Sequence, residues 1–305
     1  MADIEQMMQT LKLGGLATDW REVEYHDTEQ YVTDLLQIEL HEREVNRINR
    51  MVKTAGFHVI KTLDDFVWKP EIGLPAGLTR EYMENLDFIT AKENLIFMGA
   101  VGTGKTHLAA AIALKACQER HRVRFFTAAS LANILLERNN KGTLNGFMTS
   151  LKKVELIVID ELGFVPLHKD AAQLMFQVIS ECYERKSLII TSNLEFSGWN
   201  TVLGDNRLTA ALIDRLVHHS HIVIFSGESY RLQQSIKRQK TARKNLAKSL
   251  TLQKGLQKCI GVAPQGLQKC RTGAFKKSFK NTQQRALLLC TNRCCIRQYR
   301  TNPTK

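Results

Sequence analysis

The spacing of the hydrophobic positions changes between the first and the second part of the chain. In residues 4–11, and again from about residue 29 to residue 50, apolar side chains recur every three or four positions, which predicts amphipathic helices. From residue 94 onwards short apolar runs alternate with helical stretches, which predicts a parallel β-sheet with helices on both faces. The apolar runs are 94–98, 123–127, 156–159, 187–191 and 222–225, and the helical stretches include 106–120, 171–184 and 208–218.

These patterns divide the chain into four predicted segments. Residues 1–60 form a helical domain, and residues 61–90, where the periodicity fails and Pro and Gly accumulate, form a linker. Residues 91–232 form the α/β core. Residues 233–305, where apolar runs become scarce, form a tail.

Positive charge is concentrated in this tail. The chain has a formal net charge of +13, and 19 of its 43 Lys and Arg residues lie in residues 231–305, which contain no Asp or Glu. The preceding 230 residues therefore carry 24 basic and 30 acidic side chains. Low hydrophobicity with unopposed charge predicts a largely disordered tail, which suits non-specific contact with nucleic-acid phosphates.

The composition excludes several classes of protein. With 44% apolar and 24% charged residues, the chain is neither a collagen, nor wholly disordered, nor a multi-pass membrane protein. It has no run of about 18 apolar residues and no secretory signal pattern at its start, so we expect a cytoplasmic protein without membrane contact. Its scattered cysteines predict reduced thiols and not a disulfide framework.

A phosphate-binding motif follows the first apolar run of the core. Residues 99–106 read Gly-Ala-Val-Gly-Thr-Gly-Lys-Thr and match G-x-x-x-x-G-K-[ST] in full, between a predicted strand and a predicted helix. The glycines let backbone N–H groups point at phosphates, where the positive end of the helix adds to the attraction. Lys105 would meet the phosphates as a point charge, and Thr106 would ligate Mg²⁺.

Polar residues follow two further predicted strands. Asp160 and Glu161 come directly after the run at 156–159, at the edge where parallel sheets bind ligands. Asp160 could hold Mg²⁺ through water, and Glu161 could deprotonate the water that attacks the γ-phosphate. Asn193, after the next strand, could bond the γ-phosphate or that water. The alternatives are an acidic turn and a strand-ending turn.

Charged side chains elsewhere allow two interpretations. Arg215 and Arg231 flank the last predicted strand, where an arginine could neutralise transition-state charge or be a plain surface charge. The longer of the two predicted N-terminal helices, which begins at about residue 29, carries basic residues that could contact DNA phosphates or belong to a solvated face with ion pairs. These basic residues are Arg43, Arg47, Arg50 and Lys53.

Several short motifs together resemble one branch of the AAA+ ATPases. The chain is similar to DnaC-type helicase loaders and more closely to IstB-type transposition helpers, up to about residue 245. The motifs are Thr-Leu-Asp-Asp-Phe at 62–66, Gly-Lys-Thr-His-Leu-Ala at 104–109, Ile-Asp-Glu-Leu-Gly at 159–163, Ile-Ile-Thr-Ser-Asn at 189–193, Trp199, Ile-Asp-Arg-Leu-Val-His at 213–218 and Gly-Glu-Ser-Tyr-Arg-Leu at 227–232.

This resemblance implies an AAA+ P-loop NTPase core preceded by a small all-helical domain. It implies an ATP-dependent homo-oligomer that binds double-stranded DNA, selects target DNA and presents it to a partner transposase. The N-terminal helices would contribute to DNA binding and to self-association. The implied catalytic residues are Lys105, Glu161, Asn193 and, as an arginine finger from the adjacent protomer, Arg215. The implied nucleotide ligands are Gly99, Gly102, Thr103, Gly104, Lys105, Thr106, His107, Asp160 and the sensor arginine Arg231, with Thr106 and Asp160 holding Mg²⁺.

Two alternatives for the function remain. A helicase loader would share the ATPase core but engage a replicative helicase. A small-molecule kinase would use the same phosphate loop, although Glu161 after Asp160 favours water as the nucleophile.

A metal site at His218, His219 and His221 is not expected, because no carboxylate or Cys partner is near in sequence. A zinc knuckle in the tail is not expected either, because the tail has no His and no C-x-x-C pair.

Overall fold

The computed structural model describes residues 4–230 and 238–239. The predictions made for Arg231 and for the tail lie outside the described residues. The predicted division of the chain at residues 60, 90 and 232 stays a prediction.

The N-terminal region consists of helices. They are α1 (Ile4–Thr10), α2 (Gly14–Asp19), a 3₁₀-helix (Trp20–Glu22) and α3 (Thr28–Ala55). α3 begins after Asp27, whose carboxylate accepts a hydrogen bond from the N–H of Gln30, and ends before Gly56 with a left-handed φ of 80°. Both helical stretches predicted for this region are confirmed.

A six-stranded sheet lies at the centre of the remaining described residues. Its strands are β1 (Ile72–Gly73), β2 (Asn94–Gly99), β3 (Val123–Thr127), β4 (Leu156–Leu162), β5 (Ser187–Ser192) and β6 (Ser220–Phe225). The spatial order is β1-β6-β2-β5-β4-β3. All neighbouring strands are parallel except β1 and β6. The five predicted strands are confirmed.

The segment predicted as a linker also has regular structure. It contains β1 and the short helices α4 (Arg80–Glu84) and α5 (Asp87–Ala91). β1 was not predicted, because two residues are too few to show a period. It forms by pairing with Ile224 and Phe225 of β6.

Helices cover both faces of the sheet, as predicted. They are α6 (Lys105–Gln118), α7 (Ala128–Asn140), α8 (Leu144–Lys152), α9 (Lys169–Cys182), α10 (Trp199–Leu203) and α11 (Asn206–His218), with a 3₁₀-helix (Phe196–Gly198) before α10. Alternate residues of each strand enter opposite cores: Phe97 of β2 packs on the side of α6, and Ile96 packs on the side of α7, α9 and α11. The predicted helices at 106–120, 171–184 and 208–218 are confirmed as α6, α9 and α11.

The C-terminal half of α3 packs on the sheet domain. Arg120, just after α6, donates to Glu44 of α3 at 2.8 Å, and Arg124 of β3 donates to the carbonyl oxygen of Thr54 at 2.7 Å. No helix among the described residues is long and apolar enough to cross a membrane.

Candidate nucleotide-binding site

The loop between β2 and α6 has the backbone shape that its glycines allow. Gly99, Gly102 and Gly104 have φ values of 142°, 80° and 111°. Lys105 is the first residue of α6, and its ammonium group donates to the carbonyl oxygens of Gly99 and Ala100, both at 2.7 Å. The loop therefore curves around a positive charge at the N-terminus of a helix, which is a suitable environment for phosphate.

A cavity of about 630 Å³ opens beside this loop. One wall is residues 102–107, which include the predicted ligands Thr103, Thr106 and His107. The opposite wall is Val59, Lys61, Asp65, Phe66, Val67, Lys69 and Tyr230.

Reasoning from the sequence did not predict the opposite wall, most of which lies in the segment predicted as a linker. The ring of His107 lies edge-on to Phe66 with centroids 5.3 Å apart, and its Nε2 is 3.2 Å from the carbonyl oxygen of Thr62. These contacts join the wall to α6. The motif at 62–66 was noted only for its family resemblance, and no pattern in the chain relates it to the loop 40 residues later.

Asp160 lies against the phosphate loop. Thr106 donates from its hydroxyl to Asp160 Oδ1 at 2.9 Å, and the Asp160 residue is only 2% exposed. A hydroxyl and a carboxylate are the hard oxygen ligands that Mg²⁺ prefers. The donor set therefore fits Mg²⁺ bound directly or through water.

Glu161 lies at an irregularity in β4. The register between β4 and β5 shifts between Ile159 and Leu162, and Glu161 has a φ of 60°, in the left-handed region. Such β-bulges redirect side chains and occur often next to active sites. Unlike Asp160, Glu161 is exposed, so solvent reaches its carboxylate.

Asn193 follows β5 and carries an unusual polar atom. Among the described residues, its buried Oδ1 has no hydrogen-bond partner. A Cβ added to Gly163, just after β4, would lie 3.0 Å from this oxygen, so the tips of the two strands meet here. The oxygen can accept from a water, and the amide can donate to a phosphate oxygen.

Arg215 lies away from this cavity. It is on α11, where its guanidinium group donates to the hydroxyl of Ser180 at 2.9 Å and lies 4.6 Å from the ring centre of Phe176. It does not line the cavity of its own chain as far as the described residues show. The segment that leads to Arg231 does reach the loop, since Tyr230 donates its N–H to the carbonyl oxygen of Gly102 at 2.8 Å.

The four basic residues predicted to bind DNA are exposed on α3. Arg43 is paired with Glu39 at 2.6 Å, whereas the other three form no ion pair with any described residue. The other three are Arg47, Arg50 and Lys53. Arg43, Arg50 and Lys53 border a groove of about 710 Å³ between α3 and the start of α2.

Glu39 is a buried carboxylate within that surface. It is 4% exposed and accepts hydrogen bonds from the N–H groups of Gly15 and Leu16, at 3.0 and 3.2 Å, as well as from Arg43. Burial alone would raise the pKa of Glu39, but the hydrogen bonds from Arg43, Leu16 and Gly15 outweigh it and lower the pKa.

Of the three histidines near β6, His218 and His219 lie together with Glu184, and His221 does not join them. His221 bonds Glu93 at 2.8 Å, and the same carboxylate accepts from Tyr82 at 2.6 Å; burial and this bond raise the pKa of Tyr82 to about 12. His218 and His219 lie elsewhere, where Glu184 brings the carboxylate that sequence proximity did not offer. Each already has a protein partner: His218 bonds Tyr183, and His219 pairs with Glu184.

Comparison with known proteins identifies the family. The sequence profile described as "IstB-like ATP binding protein" matches residues 6–238. The chain belongs to this family. It is 34% identical over 237 residues to a candidate ATP-binding protein of insertion sequence IS5376 from Geobacillus stearothermophilus, covering 76% of this chain and 94% of the relative. It is also 34% identical over 208 residues to the corresponding protein of insertion sequence IS21 from Pseudomonas aeruginosa, covering 68% and 78%.

Two solved structures are similar to part of the chain. DnaA from Aquifex aeolicus bound to AMPPCP is 24% identical, with a TM-score of 0.46 over 59% of this chain and 54% of that chain. The DnaC helicase loader is 22% identical, with a TM-score of 0.43 over 54% and 96%. The predicted fold, a mostly parallel α/β core with a phosphate loop and a preceding helical region, is confirmed by the strand order and by the family match.

Proposed function

We propose that this protein is an ATP-dependent regulator of transposition that hydrolyses ATP, binds target DNA and presents it to a partner transposase. The observation that carries the ATPase part is the contact between Thr106 and Asp160, which joins the phosphate loop to the carboxylates of β4. The insertion-sequence relatives favour transposition over helicase loading, because they come from mobile elements.

The residues of the site have separate roles in this proposal. Lys105 and the N–H groups of the loop bind the phosphates, while Thr106 and Asp160 would hold Mg²⁺, which would supply positive charge to the β- and γ-phosphates. Glu161 accepts a proton from the attacking water, and the free Oδ1 of Asn193 accepts the water's other hydrogen bond. Glu161 suits its role because it is exposed beside a buried Asp160.

Oligomer formation completes the site in this proposal. Arg215 is held on α9 of its own chain by Ser180 and Phe176, away from its own cavity, which supports action on a neighbouring protomer. Arg231, two residues beyond the Ser229 that faces Gly102, is proposed as the arginine that senses the nucleotide in cis.

DNA binding is proposed for the exposed basic residues of α3, which are Arg43, Arg47, Arg50 and Lys53. Because Glu39 neutralises Arg43, we expect mainly Arg47, Arg50 and Lys53 to bind phosphates. Replacing any one of these three with Ala should make the dependence of DNA affinity on salt weaker. The slope of the logarithm of the DNA association constant against the logarithm of the salt concentration should become less negative by about 0.9, since one phosphate fewer is neutralised.

The experiment measures ATP hydrolysis with and without double-stranded DNA, and then ATP-dependent capture of the transposase from the same insertion sequence. We expect DNA to increase turnover and the triple variant Arg47→Ala/Arg50→Ala/Lys53→Ala to lose this increase while keeping its basal rate. ATP hydrolysis that is increased by a replicative helicase and not by the transposase would indicate a helicase loader. Phosphate transfer to a small molecule would indicate a kinase.

A further inference from the structure

Thr191 lies opposite the bulge that contains Asp160 and Glu161. β4 and β5 pair at Ile159 with Ile190 and again at Leu162 with Ser192. Two residues of β4 therefore face the single residue Thr191. In a bulge of this kind the extra residue has no partner in the backbone ladder.

The side chain of Thr191 supplies the partner. Its Oγ1 accepts a hydrogen bond from the N–H of Glu161 at 2.9 Å and donates one to Asp160 Oδ1 at 2.5 Å. The directions are fixed, because an amide N–H can only donate and the hydroxyl has a single proton to give to the carboxylate. Thr191 is 1% exposed, so bulk water cannot substitute for it.

Two hydroxyl groups from different parts of the chain thus donate to the same carboxylate oxygen. Thr106 holds Asp160 Oδ1 from the phosphate loop, and Thr191 holds it from β5. Of the two, Thr191 also bonds the backbone of Glu161. That backbone needs support, because a left-handed conformation costs a non-glycine residue roughly 1–2 kcal/mol.

We propose that Thr191 is a positioning residue that fixes Asp160 and Glu161 relative to each other and to the phosphate loop. It acts through these two residues, and its role rests on the proposed ATPase function. Because Thr191 precedes Asn193 by two residues on the same strand end, it also ties the carboxylates of β4 to the unpartnered amide oxygen after β5.

The test compares Thr191→Val, which keeps the shape and removes the hydroxyl, with Thr191→Ser, which keeps the hydroxyl. We expect Thr191→Val to lower kcat about 10- to 100-fold, since a misplacement of about 1 Å can cost 10²-fold. The Kd for ATP should stay within about threefold, because the hydrogen bonds of the phosphate loop are intact. Thr191→Ser should recover most of kcat, and the Mg²⁺ concentration for half-maximal activity should rise in Thr191→Val alone.

Thr209→Val is the matched control. Thr209 is also buried, and its hydroxyl donates to the carbonyl oxygen of Asp205 at 2.7 Å on α11, outside the site. This variant should lose stability without the change in kcat. If Thr191→Val does not fold, Thr191→Ala replaces it with the same expectations.

Three results would overturn the inference: kcat of Thr191→Val within twofold of wild type, a loss that Thr191→Ser does not recover, or an equal loss in Thr209→Val. A wild-type protein without ATPase activity would instead contradict the proposed function. The two failures are therefore distinguishable.

Discussion

Gly99→Ala tests whether the end of β2 sets the shape of the phosphate loop. Gly99 pairs with Phe225 of β6, and a Cβ at this position would lie 2.2 Å from the carbonyl oxygen of Phe225, where ordinary van der Waals distances begin at 3.4 Å. The obstacle is backbone, so no change of rotamer removes it. The end of β2 must therefore move by roughly 1 Å, as overpacked sites do.

This movement reaches the phosphate-binding charge directly, because the carbonyl group of Gly99 holds the ammonium group of Lys105 at 2.7 Å. A hydrogen bond to a charged group contributes about 1.5–3 kcal/mol, and each 1.4 kcal/mol is a factor of ten in affinity. Misplacing Lys105 should therefore raise the Kd for ATP about 10- to 100-fold. The clash itself should lower the free energy of unfolding by roughly 1–3 kcal/mol.

The assay combines calorimetric titration of ATP with urea unfolding. Gly142→Ala is the control, because Gly142 has a φ of 66° and its added Cβ would meet no described atom within 4 Å. It should lose roughly 1–2 kcal/mol of stability, because Ala is strained in this left-handed conformation, and keep its ATP affinity. Lys105→Ala is the reference for loss of the charge without a clash. Wild-type ATP affinity in folded Gly99→Ala would refute the reasoning, as would an equal loss of affinity in Gly142→Ala.

Three further predictions follow from the site and the N-terminal region. Glu161→Gln should bind ATP and Mg²⁺ but turn over about 10²-fold or more slowly, because it cannot accept a proton; unchanged turnover in a single-turnover assay would make Glu161 a simple turn residue. Arg215→Ala and Lys105→Ala should each be nearly inactive, yet their mixture should recover hydrolysis, while a double-substituted chain mixed with either should not; wild-type turnover of Arg215→Ala bound to DNA would exclude the shared site. Glu39→Gln should destabilise the protein by about 1–3 kcal/mol at pH 7. Because the pKa of Glu39 is lowered on folding, the stability that the ionised carboxylate contributes is fully present above the ordinary value of 4.5 and is lost as the pH falls through the folded pKa. Below pH 4.5 the free energy of unfolding, measured with urea, should therefore fall less in Glu39→Gln than in the wild type. An equal pH dependence of the two proteins would contradict this.

The sequence predicted the features that are local in the chain. The five longer strands are buried on both faces and appear as apolar runs, and α6, α9 and α11 show a helical period. The phosphate loop is likewise contiguous, so its motif predicts both its shape and the position of Lys105 at the start of α6.

Features that depend on pairing between distant segments were not predictable in this way. β1 forms because it pairs with the edge of β6. The residues from Val59 to Lys69, which come just before β1 in the chain, line the cavity beside the phosphate loop. The partner of Asp160 and Glu161 at residue 191 follows from a one-residue register shift, which no periodicity in β4 or β5 reveals. Glu184 meets His218 and His219 only after α9 and α11 pack together.

Glu39 shows how the same limit applies to charge. In the sequence it is one of several ionic residues along a helix, a pattern that suits a solvated face with ion pairs. In the fold α2 covers it, and the N–H groups at the start of α2 make the carboxylate a structural acceptor. Arg43 is then committed to this buried acid, whereas Arg47, Arg50 and Lys53 keep their charge available on the exposed face of α3. The basic stripe predicted from the sequence is therefore divided by tertiary packing into one structural cation and three that remain available to phosphates.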